Sequence, residues 1–386
     1  MDSFVTMAVQ VSMKKSAVPL PCEVYRHVAV TWNNTIVICG AGHQDPYVYF
    51  HISGRWTKKI TSGETPPSYW HPNAHVFNDQ MFIKHKSGMY SLDLKNLAWT
   101  KVIPNGEPPS RSGIFTTSWL HHGKIYYFGC SLVEHDGFND GLKQLFCYNI
   151  SSNSWEWPRT EGDIPSKRIG AKTISTKTMV VLFSGHNPYV ANGLNDLYIM
   201  DMETMRWKRV HGNIQSGEVP RGYTANRTLT CISKSRAILF GVDVYQNREL
   251  IDDCWLLDLD KALQLMEPTE IWTKIPSNLK KGHHAAVVEP ISRHLWVTGG
   301  VNYHGNHSAS DVLEINIIEV APLKEIAIHR TVRDICANDP RLSEETFPRS
   351  LRHEIEAQRS EVSGHNSCME DKKCLACLVA IEKLNL

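Results

Sequence analysis

The sequence predicts an all-β fold built from repeats. Three observations carry that reading. A tryptophan recurs at Trp56, Trp99, Trp155, Trp207 and Trp272, each after a short apolar stretch. In three units that stretch ends on a polar residue (Asp93, Asn149, Asp201) six positions before the tryptophan. A Gly-x-x-Pro turn follows four of the tryptophans, from Gly63 to Pro66, Gly106 to Pro109, Gly162 to Pro165 and Gly217 to Pro220. Self-similarity of this kind marks an architecture in which each repeat is one supersecondary unit that buries its apolar faces against its neighbours.

Four strands can be read within each unit. The first carries small and β-branched residues, as in His27 to Val30, Ile114 to Thr117 and Ala285 to Val288. The second is strongly apolar and ends in glycine or a substitute, as in Thr35 to Gly40, Lys124 to Gly129, Met179 to Gly185, Ala237 to Gly241 and Leu295 to Gly300. The third is the stretch before the tryptophan, and the fourth opens with it. Branched and aromatic runs bounded by Gly, Pro and Asn suit a pleated, packed surface. The sixth unit begins at His283, lacks a tryptophan, and the pattern ends near Ile318. A last unit short of one strand would expose unpaired N–H and C=O groups along an edge. Val5 to Met13 is the natural missing strand, so residues 1–22 are expected to supply the strand that closes the last unit.

Composition limits the function classes. At 386 residues and 42% hydrophobic, the chain can bury a sizeable core. Its 41 basic and 40 acidic residues give a net charge of +1, which offers no general attraction to nucleic acid or an acidic membrane. No apolar run is long enough for a spanning helix. Lys14 and Lys15 follow the apolar N-terminal stretch instead of preceding it, the reverse of a secretory signal, so the cytoplasm or nucleus is expected. The ten cysteines are scattered, and Cys39, Cys147, Cys231 and Cys254 sit in apolar runs as reduced small hydrophobes. The 19 histidines contain no His-Glu-x-x-His, and no Ser or Cys sits in a nucleophile motif. No catalytic residue and no cofactor is therefore assigned. His365, Cys368, Cys374 and Cys377 are residues of the type that bind zinc, but the gap between the two pairs is short and an apolar helix face follows, so no metal is assigned.

These units resemble kelch repeats, whose period is about 50 residues; here the spacing is about 49 over Glu23 to Ile318. The chain departs from the kelch pattern in places. Gly299-Gly300 is the one intact glycine pair, the second unit has Lys84-His85-Lys86 in that place, and the fifth carries an insert from Asp258 to Trp272. The resemblance implies a six-bladed β-propeller over residues 23–320, with one four-stranded blade per repeat around a central channel. In kelch proteins the loops leading into the first strands form one face. Here they carry Arg26 after Tyr25, Trp70 after Tyr69, Arg111, Ser112, Arg168, Arg221, Tyr223, Lys281 and His283. Guanidinium forks and aromatic walls around a channel mouth suit an anionic or C-terminal peptide.

Behind the repeats the period becomes helical. Leu323, Ile326, Ala327, Arg330 and Thr331 share one face. Pro348 suits a first helical turn, with Leu351 and Ile355 four apart. A short helical tail is expected over 321–356, and a polar, flexible segment over 357–386. Pro322-Leu323-x-x-x-Ala327-x-x-x-Thr331 is similar to a BC box, which docks Elongin C, although Ala327 stands at its Cys position and Thr331 at its aliphatic one. A second frame, Thr331-Val332-x-x-x-Cys336, keeps the Cys but ends on Pro340. Phe347-Pro348-x-x-Leu351-x-x-x-Ile355 matches a cullin box.

In this order, behind a kelch ring, the two boxes resemble those of the kelch substrate receptors of cullin–Elongin ubiquitin ligases. That resemblance implies a non-catalytic subunit that binds Elongin B and Elongin C, a cullin scaffold and a degron peptide of a substrate protein. Receptors of this kind clamp C-terminal degrons with two arginines after the fourth unit's glycines and a serine opening the fifth. Here Gly185 to Gly193 holds no arginine and Gly222 replaces the serine, so that clamp is not carried over. The other readings are a plain kelch interaction scaffold and a kelch enzyme with a centre in the channel.

Overall fold

A strand buried on both faces needs an apolar residue at every position, because successive side chains point to opposite sides. The second strands of this chain meet that condition. The computed structural model describes residues 8–320, apart from 41–46, 53, 68–72, 86–87, 107–115, 130–144, 188–193, 211–217, 223–225, 245–249, 252, 265–269, 278–280, 303–306 and 309. Within Thr35–Cys39, Val37 packs with Met81, Ile83 and Trp99. Its neighbours Ile36 and Ile38 pack instead with Val287, Trp296 and Val312. Within Met179–Gly185, Val181 and Phe183 join Leu229, Leu239 and Trp255, while Val180 and Leu182 join Trp119, Phe128 and Cys147. The cores thus lie between neighbouring sheets, and each middle strand serves two of them.

The sheets are six blades. Blade 1 is Val28–Trp32, Thr35–Cys39, Tyr47–Ile52 and Arg55–Ile60. Blade 2 is Ala74–Phe77, Gln80–His85, Gly88–Asp93 and Ala98–Val102. Blade 3 is Thr117–His121, Lys124–Phe128, Leu145–Asn149 and Ser154–Glu156. Blade 4 is Lys172–Ser175, Met179–Gly185, Leu194–Asp201 and Arg206–Val210. Blade 5 is Thr228–Cys231, Arg236–Phe240, Cys254–Asp258 and Trp272–Ile275. Blade 6 is Ala285–Val288, Leu295–Thr298 and Val312–Val320, with the N-terminal strand Ala8–Lys15 outermost. Blades 1 to 5 run antiparallel in chain order.

The chain divides into two compact units, Met13–Asn316 and Met1–Ser12 with Ile317–Leu386. In the first, the outer strand of blade 6 is fixed by Ser16 N donating to Val312 O at 2.8 Å and by the Lys14–Glu314 ion pair at 3.2 Å. In the second, the described residues are the ends of the two outer strands of blade 6. The closing strand runs to Lys15, two residues past the expected Met13. The first strand of blade 3 is described over Thr117–His121; Ile114 and Phe115 of the expected strand lie outside the described residues. The insert of blade 5 folds into a short helix, Leu259–Gln264, where Asp258 Oδ1 accepts from Lys261 N at 3.0 Å. The expected tail helices of 321–356 and the segment 357–386 lie outside the described residues.

The six-residue spacing has a local cause. Asp93 Oδ1 accepts from Lys95 N and Asn96 N at 2.8 and 3.0 Å. Asp201 Oδ1 accepts from Glu203 N and Thr204 N at 3.0 and 2.8 Å, and Asn149 Oδ1 from Ser151 N at 3.1 Å. Short polar side chains hold such turns by bonding the backbone just ahead. The chain then passes through a left-handed residue (Leu97, Asn153, Met205) two positions before the tryptophan.

The Gly-x-x-Pro turn completes the unit by crossing to the next blade. Ser62–Gly63 pairs in parallel with Ala98 and Trp99, and Glu161–Gly162 with Arg206 and Trp207. Glu64 N donates to Trp99 O at 3.2 Å and Asp163 N to Trp207 O at 2.9 Å. Between blades 2 and 3, Trp155 N donates to Asn105 O at 3.0 Å. Gly162 has φ +83°, and a Cβ there would stand 2.1 Å from Trp207 O.

Gly54 has a similar φ of +78° but open space around it. Gly54→Ala should therefore cost about 1–2 kcal/mol, the left-handed penalty alone. Gly162→Ala should cost clearly more, because the two blades must separate to admit the methyl group. Urea unfolding midpoints measure both; equal shifts would refute the latch.

Candidate functional site

The first strands line a central channel, and side chains tie neighbouring strands around it. Asn73 Nδ2 donates to Thr116 O at 2.5 Å, and His75 Nε2 meets Ser118 Oγ at 2.7 Å, joining blades 2 and 3. The Thr117 and Thr173 hydroxyls, 2.7 Å apart, join blades 3 and 4. His284 Nε2 meets Thr228 Oγ1 at 2.9 Å between blades 5 and 6, and His27 Nε2 meets Thr298 Oγ1 at 2.8 Å between blades 6 and 1. Burial holds these histidines neutral. It pushes His27 down to about 3, with Lys281 adding to the effect, and His75 down to about 4. His284 lies well below its ordinary value for the same first cause.

The candidates on the loop face divide by environment. Arg168 is 0% exposed. Its Nη1 and Nη2 donate to Asp196 Oδ1 and Oδ2 at 2.5 and 3.0 Å, and Nη1 also to Ser184 O at 3.0 Å. Lys281 is 2% exposed, bonded to Asp311 and donating to Gly299 O at 3.0 Å. Both charges are met inside the protein. Each clips the segment ahead of a first strand to the carboxylate that opens the same blade's third strand. Arg227, which was not among the sequence candidates, makes the same clip in blade 5: Nη2 donates to Asp253 Oδ1 at 2.7 Å. The signal for it was the recurring aspartate in Asp196-Leu197, Asp253-Cys254 and Asp311-Val312. A carboxylate at the threshold of a buried strand requires a cation.

Arg26 and His283 are half-buried neighbours in left-handed conformation, with Arg26 N donating to His283 O at 2.9 Å. Burial pushes the His283 imidazole down to about 4, and the Arg26 and Lys172 charges add to it. Arg221 is exposed. Trp70, Arg111, Ser112 and Tyr223 lie outside the described residues.

The channel holds a cavity of about 720 Å³ toward the far ends of the first strands. Val30, Ile174, Leu229 and Val288 form its apolar wall, and Trp32 and Arg293 stand among the residues at the first-to-second-strand turns. Among the described residues no group of three or more His, Cys, Asp or Glu is placed to hold a metal ion. No helix among them is long and apolar enough to cross a membrane.

Six four-stranded blades with cores between them define a six-bladed β-propeller, and part of it is similar to kelch repeats. The family model described as the KLHDC2/KLHL20/DRC7 Kelch-repeats domain matches residues 83–241. Kelch domain-containing protein 2 of Bos taurus is 24% identical over 56% of this chain and 59% of its own length. Kelch domain-containing protein 1 of Mus musculus is 22% identical, covering 52% of this chain and 55% of that protein. Acyl-CoA-binding domain-containing protein 5 of Arabidopsis thaliana is 23% identical over 72% of this chain but 43% of its own length. The chain thus spans less than half of the first relatives it matches. The solved structure of YjhT superposes with a TM-score of 0.56 at 12% identity, covering 78% of this chain and 100% of that one, which supports the fold alone.

Two measurements test the local electrostatics. Asp196→Asn should destabilise by about 3–5 kcal/mol, because it leaves the Arg168 charge buried without a full partner; an unchanged denaturation midpoint would contradict the pairing. The histidines act through pH. Their folded pKa values lie below the unfolded value near 6.5, so between about pH 6.5 and 4 the unfolded chain binds more protons and stability falls as pH falls. Each neutral histidine contributes up to about 1.4 kcal/mol per pH unit over that window. Thermal melting against pH should therefore slope downward below pH 6.5, and His75→Gln should flatten the slope.

Proposed function

We propose that this chain is the substrate-recognition subunit of a cullin–Elongin ubiquitin ligase. The ring holds a degron peptide on its loop face, and the segment behind it docks Elongin C and the cullin. The observation that carries the reading is the order of the two boxes directly behind a kelch ring: Pro322, Leu323, Ala327 and Thr331, then Phe347, Pro348, Leu351 and Ile355. The kelch-domain match over residues 83–241 supports the ring half of the argument. Short helices with one apolar stripe enter a partner's groove in this way. On the loop face the peptide's anionic group would meet Arg221, Arg26 and Arg111, with Trp70, Ser112, Tyr223 and His283 supplying walls and polar contacts. Arg168 and Lys281 shape that face from beneath, since Asp196 and Asp311 already take their charges. The chain supplies no catalytic residue to the transfer.

The departures at Ala327 and Thr331 favour a second reading, an interaction scaffold without the ligase. Co-purification separates the two. The full chain should retain Elongin B, Elongin C and a cullin from a cell extract, and Leu323→Arg should abolish retention while leaving the melting temperature unchanged. If the wild-type chain retains none of the three, the scaffold reading stands instead.

A further inference from the structure

The hairpins joining first to second strands surround the channel mouth opposite the loop face. At their tips basic side chains outnumber acidic ones, and the exposed Glu203 and Asp260 stand further out, in third-to-fourth-strand turns joined to the hairpins by Met202 N–Thr178 O and Leu259 N–Ser235 O. Lys177 stands in the blade 4 hairpin, Lys234 in blade 5 and Arg293 in blade 6, all exposed. The described ion pairs on this side include Lys95–Asp79, Lys124–Glu156, Arg236–Asp258 and Lys14–Glu314. Lys177, Lys234 and Arg293 join none of these. The carboxylates of the six hairpins are both engaged. Asp79 holds Lys95 at 2.6 Å and accepts from Trp32 Nε1 at 2.8 Å. Glu289 is buried and accepts from Ile291 N and Ser292 N at 3.0 and 2.5 Å.

Just inside this mouth lies the 720 Å³ cavity, walled by Val30, Ile174, Leu229 and Val288, with Trp32 and Arg293 also lining it. That volume is in the range that accepts a compact ligand or a few residues of peptide (about 300–1,000 Å³). The Asp79 bond fixes the Trp32 ring before any ligand arrives. A cleft with low-dielectric walls and an excess of one charge concentrates the opposite sign.

We propose that this second mouth binds an acidic peptide segment, with an apolar side chain entering the channel and flanking carboxylates meeting Arg293, Lys234 and Lys177. Three cations on three different hairpins ring the opening instead of converging on one point. They therefore match carboxylates spread along a chain better than a single small anion. The site lies on the face opposite the proposed degron site, so the two can fail separately.

The test uses the full chain and a fluorescein-labelled peptide alternating glutamate with leucine, followed by anisotropy. Binding should weaken steeply with added salt, and the glutamine–leucine counterpart should bind about tenfold more weakly or worse. Combining Lys177→Glu, Lys234→Glu and Arg293→Gln should weaken binding by a similar factor, whereas Arg221→Ala on the loop face should leave it unchanged. If the triple variant loses its wild-type melting profile, Arg293→Gln alone is read, with a loss of about threefold expected. Equal binding of the glutamine peptide, indifference to the hairpin substitutions, or loss on Arg221→Ala would each overturn the proposal. So would binding of dodecanoate, but not the peptide, at the hairpin mouth, which would make the ligand a small amphiphilic anion.

Discussion

The ring depends on one recurring contact, the docking of a blade on its neighbour's fourth-strand tryptophan, which blades 1 to 5 supply and blade 6 lacks. A propeller has no central core, so every blade must be held to both neighbours. The tryptophans do this toward the preceding blade. Trp99 packs among residues of blades 1 and 2, and Trp207 among those of blades 3 and 4. Trp272 packs between blades 4 and 5, and Trp56 borders the core between blades 6 and 1. The backbones of Trp99 and Trp207 face the same way, accepting hydrogen bonds from the preceding blade's exit turn. Side chain and main chain thus fasten one junction twice. The second fastening works only because glycine brings the turn within reach of the carbonyl.

This explains which features could be read from the sequence. The tryptophan spacing was legible because its cause is local: an Asx turn and one left-handed residue set it within six positions. The middle strands were legible because burial on both faces leaves an unbroken apolar run. The roles of the loop-face cations were not. Arg168 and Asp196 are 28 residues apart, and an arginine ahead of a strand reads the same whether it faces a ligand or a carboxylate. Arg227 was passed over for the same reason. In blade 3 the described ladder opens at Thr117, opposite Phe128, while Ile114 and Phe115 of the expected strand lie outside the described residues.

The exposed basic residues of the outer strands have a structural explanation. Lys58 and Lys59, Lys101, Lys208 and Arg209, and Lys274 all follow a fourth-strand tryptophan and are exposed. On blade 6 the same place is taken by Lys14 and Lys15 of the closing strand. Fourth strands lie at the outer edges of their sheets, covered in blades 2 and 4 only over the two residues paired with the preceding exit turn, and charged side chains beyond that cover oppose edge-to-edge pairing with another chain. Acidic residues elsewhere balance them, so a net charge of +1 is compatible with a strongly patterned surface.

That pattern makes the two channel mouths different in kind. At the loop face Arg168, Arg227 and Lys281 are turned inward, each against an aspartate of its own blade, while Arg221 stays exposed. Seen from solvent, such a pair is nearly neutral, and its value lies in fixing the loop that carries it. At the hairpin face the same three blades carry their cations outward, where each contributes its full charge within a Debye length of about 8–10 Å. Counting basic residues in the loops before each first strand therefore locates the rigid mouth of the channel.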